Sequence, residues 1–563
     1  MVHYLLSWGA PAERLFDIDI RFIAPVDTPR LLLPRWRPGR YLIQNYAANV
    51  RQWSAGEAAI WKDGLHSWRV EARAGEEVTV RYRYYAGVLD AGSSFLDEDE
   101  AYFNGSNLFM LVDGLRDEEH LLTVAAPSDW RMETQLPRDD DGTFRARDYD
   151  HLIDSPVIAA AAMTRHSFAE SGAMIHLLFR GDEGIDTEQY VDPVRAMVRT
   201  QAALFGGLPF GEYRFLYHVR ERWHGVEHED SCSIILRRSA LLGAGPGDEG
   251  YDHTLSITSH ELFHAWNVKR IMPARFSPYD YWNETPTRLL WAMEGLTSYY
   301  GDLTLLRSGI WTVERYLRHL ETEIQTFESL PARLHLSLAQ ASFDGWLSDP
   351  AQMHDHGNAW HSFYNKGEIV SALLDLTIRR VTDGARSLDD VIRLLWSEYG
   401  SGPGLEEDAI ERIVARVADV GDFFARYVDG TEPLPYEELF TAAGITFASA
   451  PREPETASLG AKLKLQDGQV IVEGVVRGGA GMDGGLLPGD ELLAIDDTRI
   501  ASEAMLTAVL RALHIGQRAE LLIARTGVVK RLSLAARPDP RPVITLRIEG
   551  ASELRRGWLG REA

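Results

Sequence analysis

The pentapeptide His260-Glu261-Leu262-Phe263-His264 has the residue types and spacing for metal chemistry. Positions i and i+4 share one face of a helix, so both imidazoles can reach one ion, and zinc is the ion that suits them. Glu261, directly after the first histidine, is then placed to take a proton from a metal-bound water. Two satisfied core histidines would show the same pattern. A third ligand has to come from elsewhere, and Trp291-Ala292-Met293-Glu294-Gly295 supplies Glu294 inside an aromatic, apolar helical stretch. A carboxylate is costly to bury there unless it meets a cation, although a solvent-facing helix glutamate is the plainer alternative. Two His and one Glu leave a fourth position open, the pattern of a catalytic rather than a structural zinc site.

Two further segments carry groups that chemistry can use. His224-Gly225-Val226-Glu227-His228-Glu229-Asp230 packs acids and imidazoles into seven residues, which also fits a solvated loop. Phe363-Tyr364-Asn365-Lys366-Gly367 opens a helical run, and the Tyr364 hydroxyl, if it lies beside a metal, can donate to an oxygen that becomes negative in a tetrahedral intermediate. An isolated tyrosine would more often be packing.

Three kinds of element have to position these groups. From Met1 to about Glu170 short runs alternate, as in Leu15-Phe16-Asp17-Ile18-Asp19-Ile20-Arg21-Phe22, which predicts an antiparallel β-sandwich with nothing catalytic in it. From about 185 to 440 apolar residues recur at helical spacing over 189–204, 254–268, 286–307, 312–327, 364–381 and 387–399. Short strands return from Leu459 to about Ala536, with one helix near 502–514 and the stretch 445–458 as a linker before them. The expected organisation is multidomain α+β: 1–172, a mainly helical 173–445, 456–540, and a C-terminal tail over 541–563. A length of 563 residues suits three or four domains.

Composition narrows the partners. With 58 Lys+Arg against 83 Asp+Glu the net charge is −25, a field that repels phosphate backbones and anionic membranes, so nucleic acid and membrane surfaces are not expected partners. The single cysteine, Cys232, cannot form an internal disulfide or a thiolate cage, so any metal is held by His, Asp or Glu. No stretch has the roughly 18 apolar residues of a membrane span, and the expectation is a soluble, cytoplasmic chain.

Longer segments extend the reading. Leu33-Pro34-Arg35-Trp36-Arg37-Pro38-Gly39-Arg40-Tyr41-Leu42 and Tyr427-Val428-Asp429-Gly430-Thr431-Glu432-Pro433-Leu434-Pro435-Tyr436, together with the segments above, resemble the glycyl aminopeptidase family of gluzincin metallopeptidases. That resemblance implies an N-terminal β domain, a thermolysin-like catalytic domain and a C-terminal PDZ domain. It implies one zinc per chain on His260, His264 and Glu294, Glu261 as base and Tyr364 as the catalytic tyrosine. The family's Gly-Gly-Leu-Glu-His segment is similar to His224-Gly225-Val226-Glu227-His228. It makes Glu227 the anchor for a substrate's α-ammonium group, with Glu229 as the fallback because His224 stands where a glycine is usual.

Gly484-Gly485-Leu486-Leu487-Pro488-Gly489-Asp490 is similar to a segment of bacterial protease PDZ domains, and Ser458-Leu459-Gly460 resembles the loop, here Leu459 and Gly460, that holds a peptide's terminal carboxylate. Peptide would add there as a strand, unless the fold serves only for packing or dimerisation. The expected activity is removal of small N-terminal residues, glycine or alanine, from peptides with a free N-terminus. An endopeptidase of the same zinc chemistry and a PDZ-based peptide-binding scaffold are the alternatives.

Overall fold

The structure is a computed structural model, and it describes residues 1–353 and 355–560. The last three residues of the 541–563 segment therefore lie outside the described residues. The chain divides into two compact units, one comprising Met1–Thr287, Tyr300–Ile310 and Val391–Ile410, the other Arg288–Tyr299, Trp311–Asp390 and Glu411–Ala563.

The first unit opens with a six-stranded sheet in the order Phe144–Ala146, His120–Val124, Val2–Trp8, Leu15–Ile23, Glu77–Tyr85, Val50–Ser54. Period-two alternation puts Phe16, Ile18, Ile20 and Phe22 in the core and leaves Asp17 and Asp19 outside, where they meet Arg83 and Arg81 directly across the ladder. Pairing is antiparallel except between Val2–Trp8 and His120–Val124, which run parallel. Two four-stranded sheets complete the β-rich part.

A five-stranded mixed sheet follows, in the order Thr164–Glu170, Ala173–Arg180, Glu212–Arg220, Ser231–Arg237, His224–Glu227. The division at residue 172 separates its first two strands, which are joined along their whole length. The expectation of a mainly helical region from 185 onward missed Glu212–Arg220 and Ser231–Arg237. Both are nearly continuously buried, so they lack the alternation that announces a half-exposed strand. This sheet ends on His224–Glu227, which sets that segment against the helix Glu249–Phe263.

In the second unit, helices Val313–Glu328 and Phe363–Val381 match the helical periodicity. Half of the linker expected at 445–458, and most of the described part of the tail expected at 541–563, are regular secondary structure instead. Ile445–Pro451 and Pro542–Ile548 pair antiparallel from Ile445↔Ile548 to Pro451↔Pro542. Backbone N–H groups of Ile544 and Leu546 also donate to Gln325 Oε1 and Glu321 Oε1. Helix Glu553–Leu559 then buries Trp558, whose Nε1 donates to the Tyr299 hydroxyl at 3.0 Å. The small third domain is thus inserted between two paired strands. It has its own core, including Val470, Val472, Leu492, Leu506, Leu510 and Ile523.

One prediction follows from this insertion. Replacing 452–541 by a short turn should leave the remainder folded, because the excised ends face each other at Pro451 and Pro542. Truncation from Leu459 onward also removes Trp558, and losing a buried tryptophan alone costs about 3–5 kcal/mol. Thermal unfolding of the two variants checks this, and a truncation as stable as the excision would contradict it.

Burial also predicts acid sensitivity. His120 and His361 are buried, each donates Nε2–H to a backbone carbonyl (Leu115 at 3.1 Å, Leu336 at 2.8 Å), and burial pulls both pKa values down to about 4. An unfolded histidine titrates near 6.5. Between pH 6.5 and 4 the unfolded chain therefore takes up protons that the folded chain refuses, so stability is full above about pH 6.5 and falls as pH drops. The loss is about 3 kcal/mol per histidine. Urea midpoints at pH 7 and 4.5 should differ clearly, and equal midpoints would count against neutral buried imidazoles. Among the described residues no helix is long and apolar enough to cross a membrane.

Candidate metal centre and substrate pocket

Helix Glu249–Phe263 begins with Glu249 and Asp252 in its first turn, favourable at the positive end of the helix dipole. It enters against the backbone of Ala240 so closely that a Cβ on Gly250 would lie 2.0 Å from the Ala240 carbonyl oxygen. Deeper in, Gln201 Nε2 donates to the Ser259 carbonyl and Ser259 Oγ donates to the Gly301 carbonyl, which fixes the helix next to His260.

The periodicity carried this helix to 268, but it stops at Phe263 with His264 as its cap. The chain then reverses, with Val268 at φ 94, a conformation costly for a β-branched residue. The reversal brings the Asn267 carbonyl to His264 Nδ1 at 2.9 Å. With Nδ1–H donated there, the lone pair of His264 sits on Nε2, 3.0 Å from Nε2 of His260, and the ring planes meet at 86°. Two imidazole nitrogens so placed are within hydrogen-bond distance of each other and could equally share a cation.

Glu261 is buried on the same helix. A Cβ on Gly225 would fall 1.9 Å from Glu261 Oε1, so only glycine lets the edge strand pass over this carboxylate. That strand is regular, in register from His224↔Ile235 to Glu227↔Cys232, so His224 does not disturb the backbone path. Its ring turns to the β-rich part, where Nδ1 accepts from the Ala91 N–H at 3.2 Å. Burial, reinforced by Arg37, pulls its pKa down to about 4. Cys232, opposite Glu227, is buried and its thiol is pushed up by that burial.

Glu227 is 4% exposed, and its Oε1 has no hydrogen-bond partner among the described residues. One donor atom each from Glu227, Glu261 and His264 lie within 4.8 Å of one another. On the other side a Cβ on Gly39, which has φ +78, would lie 2.4 Å from Glu227 Oε2. The Leu33–Leu42 segment of the first domain therefore presses its backbone on the Glu227 carboxylate. The Pro38-Gly39 dipeptide, a turn signal, was the clue available in the sequence.

Glu227 also lines a cavity of about 220 Å³ together with Arg37, Asp154, Lys269, Phe276, Tyr279 and others. Asp154 accepts from Lys269 Nζ at 2.8 Å and from the Glu229 N–H at 2.9 Å, and Lys269, with His228, holds its carboxyl well below the usual carboxylate range. Glu229, the fallback anchor, is engaged by Arg147 at 2.6 Å.

Glu294 and Tyr364 belong to the second unit. Glu294 is 1% exposed in the π-helical turn Trp291–Gly295, a geometry frequent at functional sites. Tyr364 is half-buried in the first turn of Phe363–Val381, where Ser362 Oγ accepts from its N–H at 3.1 Å. The two segments meet glycine to glycine: a Cβ on Gly295 would lie 2.4 Å from Gly367 Cα, and one on Gly367 2.9 Å from Gly295 Cα. In the third domain Ala461–Gln466 is an edge strand, as strand addition requires. Of the loop amides before it, however, Gly460 N–H donates to Ser458 Oγ at 3.0 Å and Ser458 N–H to the Arg537 carbonyl at 2.8 Å.

Comparison with known proteins agrees with this layout. Residues 3–161 match the Peptidase M61 N-terminal domain, 253–370 match M61 glycyl aminopeptidase, and 457–535 match a PDZ domain. The chain is similar to an aminopeptidase N family protein from Idiomarina loihiensis, with 28% identity, a TM-score of 0.92 and coverage of 99% of this chain and 100% of that one. An M1 zinc metallopeptidase from Deinococcus radiodurans matches at 15% identity and a TM-score of 0.46, over 77% of this chain and 94% of that one. No curated protein matches.

Proposed function

Because this chain carries the N-terminal and catalytic domains of the M61 glycyl aminopeptidase family and is a peptidase, we propose that it is a zinc-dependent aminopeptidase releasing small N-terminal residues, glycine or alanine, from peptides. His260, His264 and Glu294 are the proposed ligands of one zinc per chain, a donor set of two imidazoles and one carboxylate that suits this ion. Zinc bound there supplies Lewis acidity and a lowered pKa for water. Glu261 receives the proton of the attacking water, and Tyr364 donates to the carbonyl oxygen as it becomes negative.

The observation that carries the aminopeptidase reading, against the endopeptidase, is the Glu227 carboxylate. It is buried, has one oxygen without a partner, and is walled by the backbone at Gly39. Such a group is favourable only when a cation arrives, and a peptide's free α-ammonium is that cation. The PDZ domain is proposed to take a peptide C-terminus along Ala461–Gln466, and the cytoplasm is the proposed location. Cleavage of Gly- and Ala-peptides against peptides with bulky N-terminal residues tests the specificity.

The ligand assignment has its own test. Glu294→Ala should purify without its metal, as measured by elemental analysis after dialysis. A variant that keeps a full, tightly held equivalent would remove Glu294 from the ligand set.

A further inference from the structure

Among the charged groups lining the cavity beside Glu227, nearly all are matched. Asp154 is paired with Lys269 at 2.8 Å, Asp150 with Arg116 at 2.7 Å, and Glu229 with Arg147 at 2.6 Å. Two groups stand apart. Among the described residues Glu227 Oε1 has no hydrogen-bond partner, and neither have Nε and Nη2 of Arg37, a buried side chain only 3% exposed. Arg37 spends Nη1 on the carbonyl of Pro38 at 2.9 Å, and its guanidinium lies against Gly92, where a Cβ would come within 1.9 Å of Nη2. Asp90 is near enough to feel its charge, but the ion pairs of Asp90 among the described residues are with Arg222 and His224. A guanidinium held in place by backbone, with two nitrogens unsatisfied, is costly unless a ligand meets it.

The two groups are close. Gly39 is pressed on Glu227 Oε2 and Arg37 Nη1 is bonded to the adjoining Pro38 carbonyl. Covalent geometry then keeps Nη1 within about 10 Å of that oxygen. An α-amino acid with one hydrogen bond at each end spans about 8 Å.

We propose that Arg37 and Glu227 form a zwitterion site, Glu227 taking an ammonium and Arg37 a carboxylate of the same small ligand. The inference rests on the reading of Glu227 as the amine anchor. Two sources share this chemistry: the α-carboxylate of a released amino acid, which makes the product an inhibitor, and the side-chain carboxylate of an acidic N-terminal residue. Arginine suits either because its planar donors match a carboxylate.

Calorimetric titration of the enzyme with three probes separates them: L-alanine, L-alaninamide, and the α-amide of L-aspartate, which keeps only the side-chain carboxylate. Alanine binding at least ten-fold tighter than alaninamide, with the advantage lost in Arg37→Gln, supports the product source. The aspartate amide showing that Arg37-dependent advantage instead supports the acidic-residue source. If neither carboxylate probe outbinds alaninamide, or if Arg37→Gln and Arg37→Lys, both folded by circular dichroism, keep the advantage, the proposal is overturned. Glu227→Ala should weaken all three probes. If it weakens none while the Arg37-dependent advantage persists, the amine-anchor reading fails and Arg37 remains a carboxylate site.

Discussion

Glu261→Gln should keep the metal content of the wild type and lose turnover by about 100-fold to 10,000-fold, the usual cost of removing a general base. The substitution keeps the shape that the edge strand has to clear at Gly225, so the fold should tolerate it. Metal and chemistry should separate because the residue is proposed as base and not as ligand. Steady-state hydrolysis of an alanine peptide, with metal analysis on the same preparation, reads both quantities. Turnover near the wild-type rate would take the base role from Glu261, whereas loss of metal would make it a ligand.

Acetylating the N-terminus of a good substrate should abolish its cleavage, and Glu227→Ala should lower kcat/KM for the free peptide by about 100-fold or more. Both changes remove one side of an ion pair that is shielded from water, and breaking such a pair typically costs 2–5 kcal/mol. The Glu227 carboxylate is buried, its Oε2 is closed off by the Gly39 backbone and its Oε1 is without a partner, so little water is at hand to compensate. Metal content should be unchanged, since Glu227 is not a proposed ligand. Acetylated peptides cut at internal bonds as fast as free ones would decide for the endopeptidase. A silent Glu227→Ala with an impaired Glu229→Ala would move the anchor two residues, against the engagement of Glu229 by Arg147.

Much of this site can be read from the chain because its determinants are local. His260 and His264 lie on one face of whatever helix contains them, since 3.6 residues per turn places i and i+4 together. The alternation in Leu15–Ile23 and the apolar spacing in Phe363–Val381 likewise state which side of each element is buried. Local patterning failed where its physical basis disappears: Ser231–Arg237 is covered on both faces and so carries no period, and Ile445–Pro451 is ordered by a partner strand about a hundred residues away.

What the amino-acid sequence determined by itself was therefore the set of donors, their spacing along each element, and the glycines that allow close approach. The tertiary structure alone decided which groups share a cavity. Gly39 reaches Glu227 across almost two hundred residues, and Arg37 and Glu227, each with polar atoms unsatisfied among the described residues, line one cavity. These are contacts between distant segments and depend on how whole elements pack, a cooperative outcome of burial that no local window of residues contains.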